Sequence, residues 1–308
     1  MRTCEPPPVP HHVLLDVFTD RPFTGNPLAV FVDPGDLSTA AMQALARELN
    51  LSESVFLRPP ADAGGPWATR IFTPAGELPF AGHPTVGAAW ALAAGGHLAA
   101  DPTGTTTVVL REGVGDVPVE VAWDGDRPAT CTVSVPVLPV GGPPPADPVQ
   151  IASAVGLEVE ALHPALPLGR WSAGVPFVVV PVRDLDALAS ARPLDGTHGE
   201  IYAVTPIGDP EGAVRWRARM FAPGFGIPED PATGAAAAAF AGYLAEVADG
   251  AGSSPQRRWT IEQGVEMGRP SRIEVVVERD ATGSLAAVRI AGTAVAVGEG
   301  RLDLPPDT

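Results

Sequence analysis

The sequence predicts an α+β fold built twice: two pseudo-symmetric halves, each a curled, mainly antiparallel sheet around a central helix. Three observations predict it. Arg70-Ile71-Phe72-Thr73-Pro74 recurs as Arg219-Met220-Phe221-Ala222-Pro223, and Gly25-Asn26-Pro27 recurs as Gly174-Val175-Pro176, both at an offset of 149 residues. His83-Pro84-Thr85-Val86-Gly87-Ala88-Ala89 is echoed by Asp230-Pro231-Ala232-Thr233-Gly234-Ala235-Ala236, with the offset slipped to 147. The hydrophobic patterning also runs through the same order twice: strands, a short helix, more strands, an Ala-rich helix and a closing meander.

The elements follow from local patterning. His12 to Val17 and Leu28 to Val32 read as strands around a turn at Arg21 to Pro27. Ser38 to Asn50 reads as a helix, because Ser38 suits the cap, Ala and Leu fill the body and Asn50 suits the exit. Leu51 to Leu57 and Thr69 to Thr73 are strands. Pro84 to Ala94 is an Ala-rich helix ending at Gly95-Gly96. Thr105 to Leu110, Val117 to Trp123 and Thr130 to Val135 form a meander. In the second half, strand Phe177 to Val182 precedes a helix near Leu185 to Ala191. Strands Ile201 to Val204 and Val214 to Met220 follow, then an Ala-rich helix from Ala232 to about Val247. Four strands, from Trp259 to Val297, close the chain. A chain of 308 residues suits two domains. Gly141-Gly142-Pro143-Pro144-Pro145 is the linker candidate, giving halves 1–140 and 141–308, with the strand near 293–304 able to return to the first.

Composition narrows the chemistry. A net charge of −16 argues against nucleic acid and against anionic membrane. All 20 basic residues are Arg, which removes Schiff-base chemistry and the P-loop, since both need a lysine amine. Cys4 and Cys131 are the only cysteines, one in a Pro-rich arm and the other in an apolar run, so neither a disulfide framework nor a thiolate metal site is expected. The arm from Met1 to Pro10 lacks the marks of a signal peptide, and no apolar run reaches the length of a membrane span, so a soluble cytoplasmic protein is expected.

Three ionisable residues are candidates for chemistry. Glu53 shares one face of its strand with Leu51, Val55 and Leu57, and a carboxyl on an apolar face is desolvated, which suits a proton shuttle. Its bland alternative is a strand edge open to water. His83 precedes Pro84, a residue suited to the first helical position, and so reads as a poor helix cap whose imidazole has another use; the alternative is an exposed turn histidine. The N–H groups from Thr85 onward, and those at Thr233-Gly234-Ala235, offer two helix starts for a carboxylate. Asp230 precedes Pro231 and capping alone explains it, but it matches His83 across the duplication. A duplicated fold whose copies differ there suggests a cleft to which each half gives one polar group. Arg70 and Arg219, each alternating with a Phe, read as a repeated structural ion pair.

Asp16-Val17-Phe18-Thr19-Asp20-Arg21-Pro22-Phe23-Thr24-Gly25-Asn26-Pro27, Asn50-Leu51-Ser52-Glu53, Gly82-His83-Pro84-Thr85 and Glu229-Asp230-Pro231-Ala232-Thr233-Gly234 resemble the motifs of the PhzF-like phenazine-biosynthesis isomerase family. Gln263-Gly264 with Met267-Gly268-Arg269-Pro270 fits the same group, and the likeness runs from about His12 to Leu302. The resemblance implies a diaminopimelate-epimerase-like fold, homodimers and no cofactor or metal. It implies Glu53 as principal acid/base, assisted by His83 and Asp230, with Gly82, Thr85, Thr233, Gly234 and Ala235 against the substrate. One departure is Ala235, where family members often carry Ser. The expected activity is a cofactor-independent 1,3-proton shift on a small carboxylated metabolite. A non-catalytic metabolite binder and an epimerase or racemase of a carboxylated substrate are the alternatives.

Overall fold

The computed structural model describes residues 10–62, 64–194, 198–208, 215–248 and 254–304. The arm before residue 10, with Cys4, lies outside the described residues. Two compact units emerge. The first comprises the described residues up to Pro22, Pro27–Cys131 and those from Thr293 on; the second comprises Phe23–Asn26 and Thr132–Gly292.

In the first unit, β1 (His11–Val17), β2 (Asn26–Val32), β3 (Glu53–Arg58), β4 (Trp67–Phe72), β5 (Glu77–Leu78), β6 (Thr105–Glu112), β7 (Gly115–Asp124) and β8 (Arg127–Ser134, whose end passes into the second unit) accompany α1 (Thr39–Leu49) and α2 (Gly82–Ala94). β2 and β3 pair in parallel, β3 and β4 antiparallel, β4 and β6 in parallel, β6 and β7 antiparallel. The second unit repeats that order. Its elements are β9 (Val140–Gly142), α3 (Pro148–Ala154), β10 (Gly169–Ser172), β11 (Pro176–Pro181), α4 (Leu185–Ser190), β12 (Glu200–Pro206), β13 (Arg215–Ala222), β14 (Ile227–Asp230), α5 (Gly234–Tyr243), β15 (Gln256–Gln263), β16 (Ser271–Arg279) and β17 (Leu285–Gly292). There β11 and β12 are parallel, β12 and β13 antiparallel, β13 and β15 parallel, β15 and β16 antiparallel. The last strand, β18 (Ala294–Arg301), pairs antiparallel with β1.

The registers show how literal the duplication is. Leu28 lies opposite Glu53 as Phe177 lies opposite Glu200, and Phe56 lies opposite Arg70 as Ala203 lies opposite Arg219. Each α2-type helix is apolar all round, as a helix enclosed by its sheet must be. α2 packs on β1, β3, β6 and β7, and α5 on β10, β11, β16 and β17. Small residues permit the approach: a Cβ on Gly87 would fall 2.4 Å from Leu28 Cδ2, and one on Gly242 would fall 2.7 Å from a carbon of the Trp171 ring. α1 and α4 lie against separate apolar clusters, α1 over Phe31, Phe56 and Phe72, α4 over Val180, Ala203 and Phe221. For α1 the local chemistry is as expected: Ser38 Oγ accepts from the Ala41 N–H at 3.0 Å, and Asn50 ends the helix with φ of 50°.

One expectation changes and another is met. Gly141 and Gly142 belong to β9, paired with β10, and the Trp171 ring lies over Gly141 where a side chain would have stood. Arg70 and Arg219 answer alike. Arg70 binds Glu77 across the β4–β5 hairpin with contacts of 2.7 and 2.6 Å, and Arg219 binds Glu229 across β13–β14 with two of 2.8 Å. Each guanidinium also covers the Phe two residues on, at 5.0 and 4.9 Å from the ring centroid. Both are repeated ion pairs that brace hairpins.

Candidate active site

The first unit brings Glu53 and His83 together. Glu53 opens β3 opposite Leu28, and His83 lies in the first turn of α2, hydrogen-bonded to the backbone carbonyl of Pro27. The start of β2 therefore places both side chains. Glu53 Oε2 stands 3.5 Å from His83 Nδ1, with the side chains 16% and 5% exposed. Burial drives the His83 imidazole down to about 3, against a weaker upward effect of the Pro27 carbonyl. At neutral pH the contact is thus a carboxyl beside an uncharged imidazole, not an ion pair.

His83 is not the helix cap. That position falls to Ala81, in extended conformation and with no capping side chain, because α2 begins at Gly82. Pro84 then sits within the first turn, where its missing N–H costs nothing. Thr85 also differs from expectation. Its N–H closes the first helical turn on the Ala81 carbonyl at 3.2 Å, so it is not open to a substrate. Its hydroxyl lies 2.7 Å from the same carbonyl oxygen and 2.8 Å from Glu112 Oε1. A hydroxyl carries one proton, and the carbonyl can only accept. The Thr85 hydroxyl therefore donates to either the Ala81 carbonyl or Glu112, and only a protonated Glu112 lets both contacts carry a hydrogen. Burial pushes this carboxyl up to about 7, opposed by the Thr85 contact.

The second unit supplies Asp230, and again the cap lies elsewhere. Asp230 ends β14, and the cap of α5 is Thr233, whose carbonyl accepts from the Ala237 N–H at 3.0 Å. Asp230 is buried and accepts hydrogen bonds from Asn26 Nδ2 at 3.0 Å and from Thr233 Oγ1 at 2.5 Å. Gln263, fully buried at the end of β15, ties this loop down. Its Nε2 donates to the Asp230 carbonyl at 2.8 Å and to Thr233 Oγ1 at 3.0 Å; its Oε1 accepts from Tyr202 Oη at 3.2 Å and from the Thr233 N–H at 3.3 Å. The N–H groups of Gly234 and Ala235 stand in the first turn of α5, ahead of that first helical bond. The turn after Gln263 has a clear role: Arg269 donates to the carbonyls of Gly25 and Thr24 at 2.8 and 2.9 Å, holding the segment that carries Asn26.

Asn26, Gln263, Glu112 and Glu200 had no role in the sequence reading, although each left a trace there. Asn26 is polar where its copy has Val175. Glu112-Gly113 and Gln263-Gly264 are one motif repeated at 151 residues, and Glu200 follows Glu53 at 147, the offset that joins His83 to Asp230.

The chain matches the family of phenazine biosynthesis-like proteins over residues 15–300. It is 41% identical to an isomerase of Mesorhizobium japonicum, over 95% of this chain and 98% of that protein. It is 36% identical to the trans-2,3-dihydro-3-hydroxyanthranilate isomerase of Pseudomonas aeruginosa, over 94% of this chain and 98% of that one. The crystal structure of a PhzF-family phenazine biosynthesis protein from Bacillus anthracis superposes with a TM-score of 0.85 at 25% identity, covering 96% of this chain and 99% of that one. With its motifs, its duplicated fold and these relatives in agreement over nearly its whole length, the chain belongs to the phenazine biosynthesis-like family and is an isomerase.

Proposed function

We propose that the enzyme moves a proton between two carbons of a small cyclic, unsaturated amino or hydroxy acid, and that Glu53 carries that proton. In this 1,3-shift one C–H bond breaks, the double bond migrates and a new C–H bond forms at the far carbon, so no co-reactant is needed. The observation that carries the reading is the mostly buried Glu53 carboxyl 3.5 Å from an imidazole kept uncharged by burial. A neutral His83 can donate or accept a hydrogen bond without competing for the proton, which leaves the carboxyl to carry it. Asp230 is assigned the substrate's amino or hydroxyl group, because its carboxylate is held by Asn26 and Thr233 in a fixed orientation. In the second unit the N–H groups of Gly234 and Ala235 are assigned the substrate carboxylate, with Thr233 orienting Asp230; in the first, the N–H of Gly82 is assigned to substrate binding. The dihydro-hydroxyanthranilate acted on by the Pseudomonas relatives has the required groups and is the substrate class to test first. Cofactor independence, a homodimeric assembly and a cytoplasmic location complete the proposal on the strength of family resemblance; sedimentation of the purified protein checks the dimer.

A thiol-based epimerase is disfavoured by Cys131, which is fully buried with its thiol pushed up to about 12. Incubation of that acid in deuterated water tests the reading. Wild type should relocate the double bond and place one deuterium at the new C–H position. Glu53→Gln should lose about 10²–10⁴-fold in rate, the range for removing a positioned acid/base. Full activity in Glu53→Gln, or exchange with inversion at one stereocentre and no bond migration, would overturn it.

A further inference from the structure

The register that places Glu53 has a second product. Glu53 opens β3 opposite Leu28, and Glu200 opens β12 opposite Phe177, the residue that duplicates Leu28. In the first unit this strand-opening carboxyl stands 3.5 Å from His83, the residue before the helix-start proline; in the second, Glu200 shares a sheet face with Asp230, the residue in the matching place. Sheet geometry explains the second association. Tyr202 lies opposite Met220, which lies opposite Asp230, so all three share one face of the sheet. Glu200, two residues before Tyr202 on β12, points to that same face. Gln263 joins it, because it lies opposite Ala218, two residues from Met220 on β13. Glu200 is only partly buried, so it can reach bound substrate or solvent.

We propose that Glu200 is a positioning residue of the isomerase, the counterpart of Glu53, which holds a proton beside Asp230 and so keeps Asp230 as the ionised member of the pair. The inference deepens the reading above and rests on it for the role of Asp230. Two neighbouring carboxyls do not both ionise readily. Asp230 has two donors directed at its oxygens, Asn26 and Thr233, and therefore keeps the charge. Glu200 retains the proton: burial, and then the Asp230 charge, push its carboxyl up to about 7. Tyr202, on the same face, is driven well above the ordinary tyrosine value by burial and by Asp230 and stays neutral, and Arg257, farther along β15 on that face, lies over Trp259. A protonated Glu200 is a hydrogen-bond donor, and its loss of that proton adds a second charge next to the one that orients the substrate.

The test has one arm that needs no substrate. Carbon-13 NMR of protein labelled at the glutamate side-chain carboxyls, with Glu200 assigned by its disappearance in Glu200→Gln, should show Glu200 titrating near pH 7. In Asp230→Asn that midpoint should fall by about one pH unit, the scale of a lost like-charge neighbour. A midpoint near the ordinary 4.5, or one that Asp230→Asn leaves in place, overturns the proposal. In the second arm, the rate on the dihydro-hydroxyanthranilate is followed against pH. Glu200→Gln, which mimics the protonated acid, should stay within about fivefold of wild type and lose the decline above neutral pH. Glu200→Leu should fall about 10²-fold, the lower range for a positioned hydrogen-bonding group. Equal loss in Gln and Leu variants would show that the ionised form is needed and contradict the assignment. If Glu53→Gln proves fully active while the NMR midpoints behave as stated, the proton transfer reading fails and the Glu200–Asp230 coupling stands.

Discussion

The entrances to α2 and α5 are the same construction carried out with different protonation chemistry. In each, a threonine hydroxyl in the helix start is held by the last residue of the adjoining parallel strand: Thr85 by Glu112 at 2.8 Å, Thr233 by Gln263 at 3.0 Å. Glu112 and Gln263 occupy matching register, since Arg111 lies opposite Ala68 as Glu262 lies opposite Arg217. Both are followed by a glycine that leaves no room for a side chain. A Cβ on Gly113 would fall 2.7 Å from Pro79 Cα, and one on Gly264 would fall 2.6 Å from the Pro231 carbonyl oxygen. The difference lies in where the protons come from. Gln263 donates permanently and frees the Thr233 hydroxyl to donate to Asp230, whereas Glu112 must be protonated to do the equivalent for Thr85. The second unit thus holds a carboxylate at its helix entrance on permanent donors, whereas the first places there an imidazole that burial keeps uncharged.

Exchanging the two residues should break this contrast. Gln263→Glu removes the amide donors from the Asp230 carbonyl and from Thr233 and introduces an acid close to Asp230. A loss of about 2–4 kcal/mol in stability at neutral pH is expected, as for unsatisfied buried polar groups, read from urea unfolding. The reciprocal Glu112→Gln should be stabilising, in a pH-dependent way. The folded-state value of Glu112 is raised above its unfolded one, from 4.5 to about 7. The folded protein therefore binds the extra proton between those limits, and the stability this gives is fully present below 4.5 and lost as pH rises through 7. Glu112→Gln should accordingly gain about 3 kcal/mol over wild type at pH 8 and less than about 1 kcal/mol at pH 5. A gain independent of pH would show that Glu112 is not a proton-holding copy of Gln263.

The smallest expected effect concerns Ala235. Its side chain is half-buried in the first turn of α5, where a serine would add one hydroxyl to the backbone donors already present. Ala235→Ser should improve the KM for the dihydro-hydroxyanthranilate by about three- to tenfold, the worth of one neutral hydrogen bond. An unchanged or worsened KM would mean that this enzyme has a less polar substrate than its relatives.

Much of the fold was legible because it is written twice. Two motifs at one offset gave the duplication, and the Ala-rich stretches gave the enclosed helices, since only small side chains let a sheet close around them. The burial of Glu53 was legible from its place in an apolar strand, although both faces of β3 prove covered and its burial pattern is not an alternation. The helix starts differ from the sequence expectation because neither proline occupies the first helical position. Pro84 lies inside the first turn, and Pro231 lies before it. Gln263 and Asn26 went unassigned because buried amides carry no charge signal and act through partners distant in sequence, such as Asp230 from Asn26. The short strands β5, β9, β10 and β14 are too brief to show a period.

The account depends most on the carboxyl of Glu53 lying beside an uncharged imidazole, and nitrogen-15 NMR of histidine-labelled protein measures that charge. The His83 signals, assigned by their loss in His83→Asn, should keep the pattern of a neutral ring from pH 8 down to pH 5, in keeping with a value of about 3. An imidazolium pattern for His83 at pH 6 would make the contact an ion pair and contradict the division of roles between the two units.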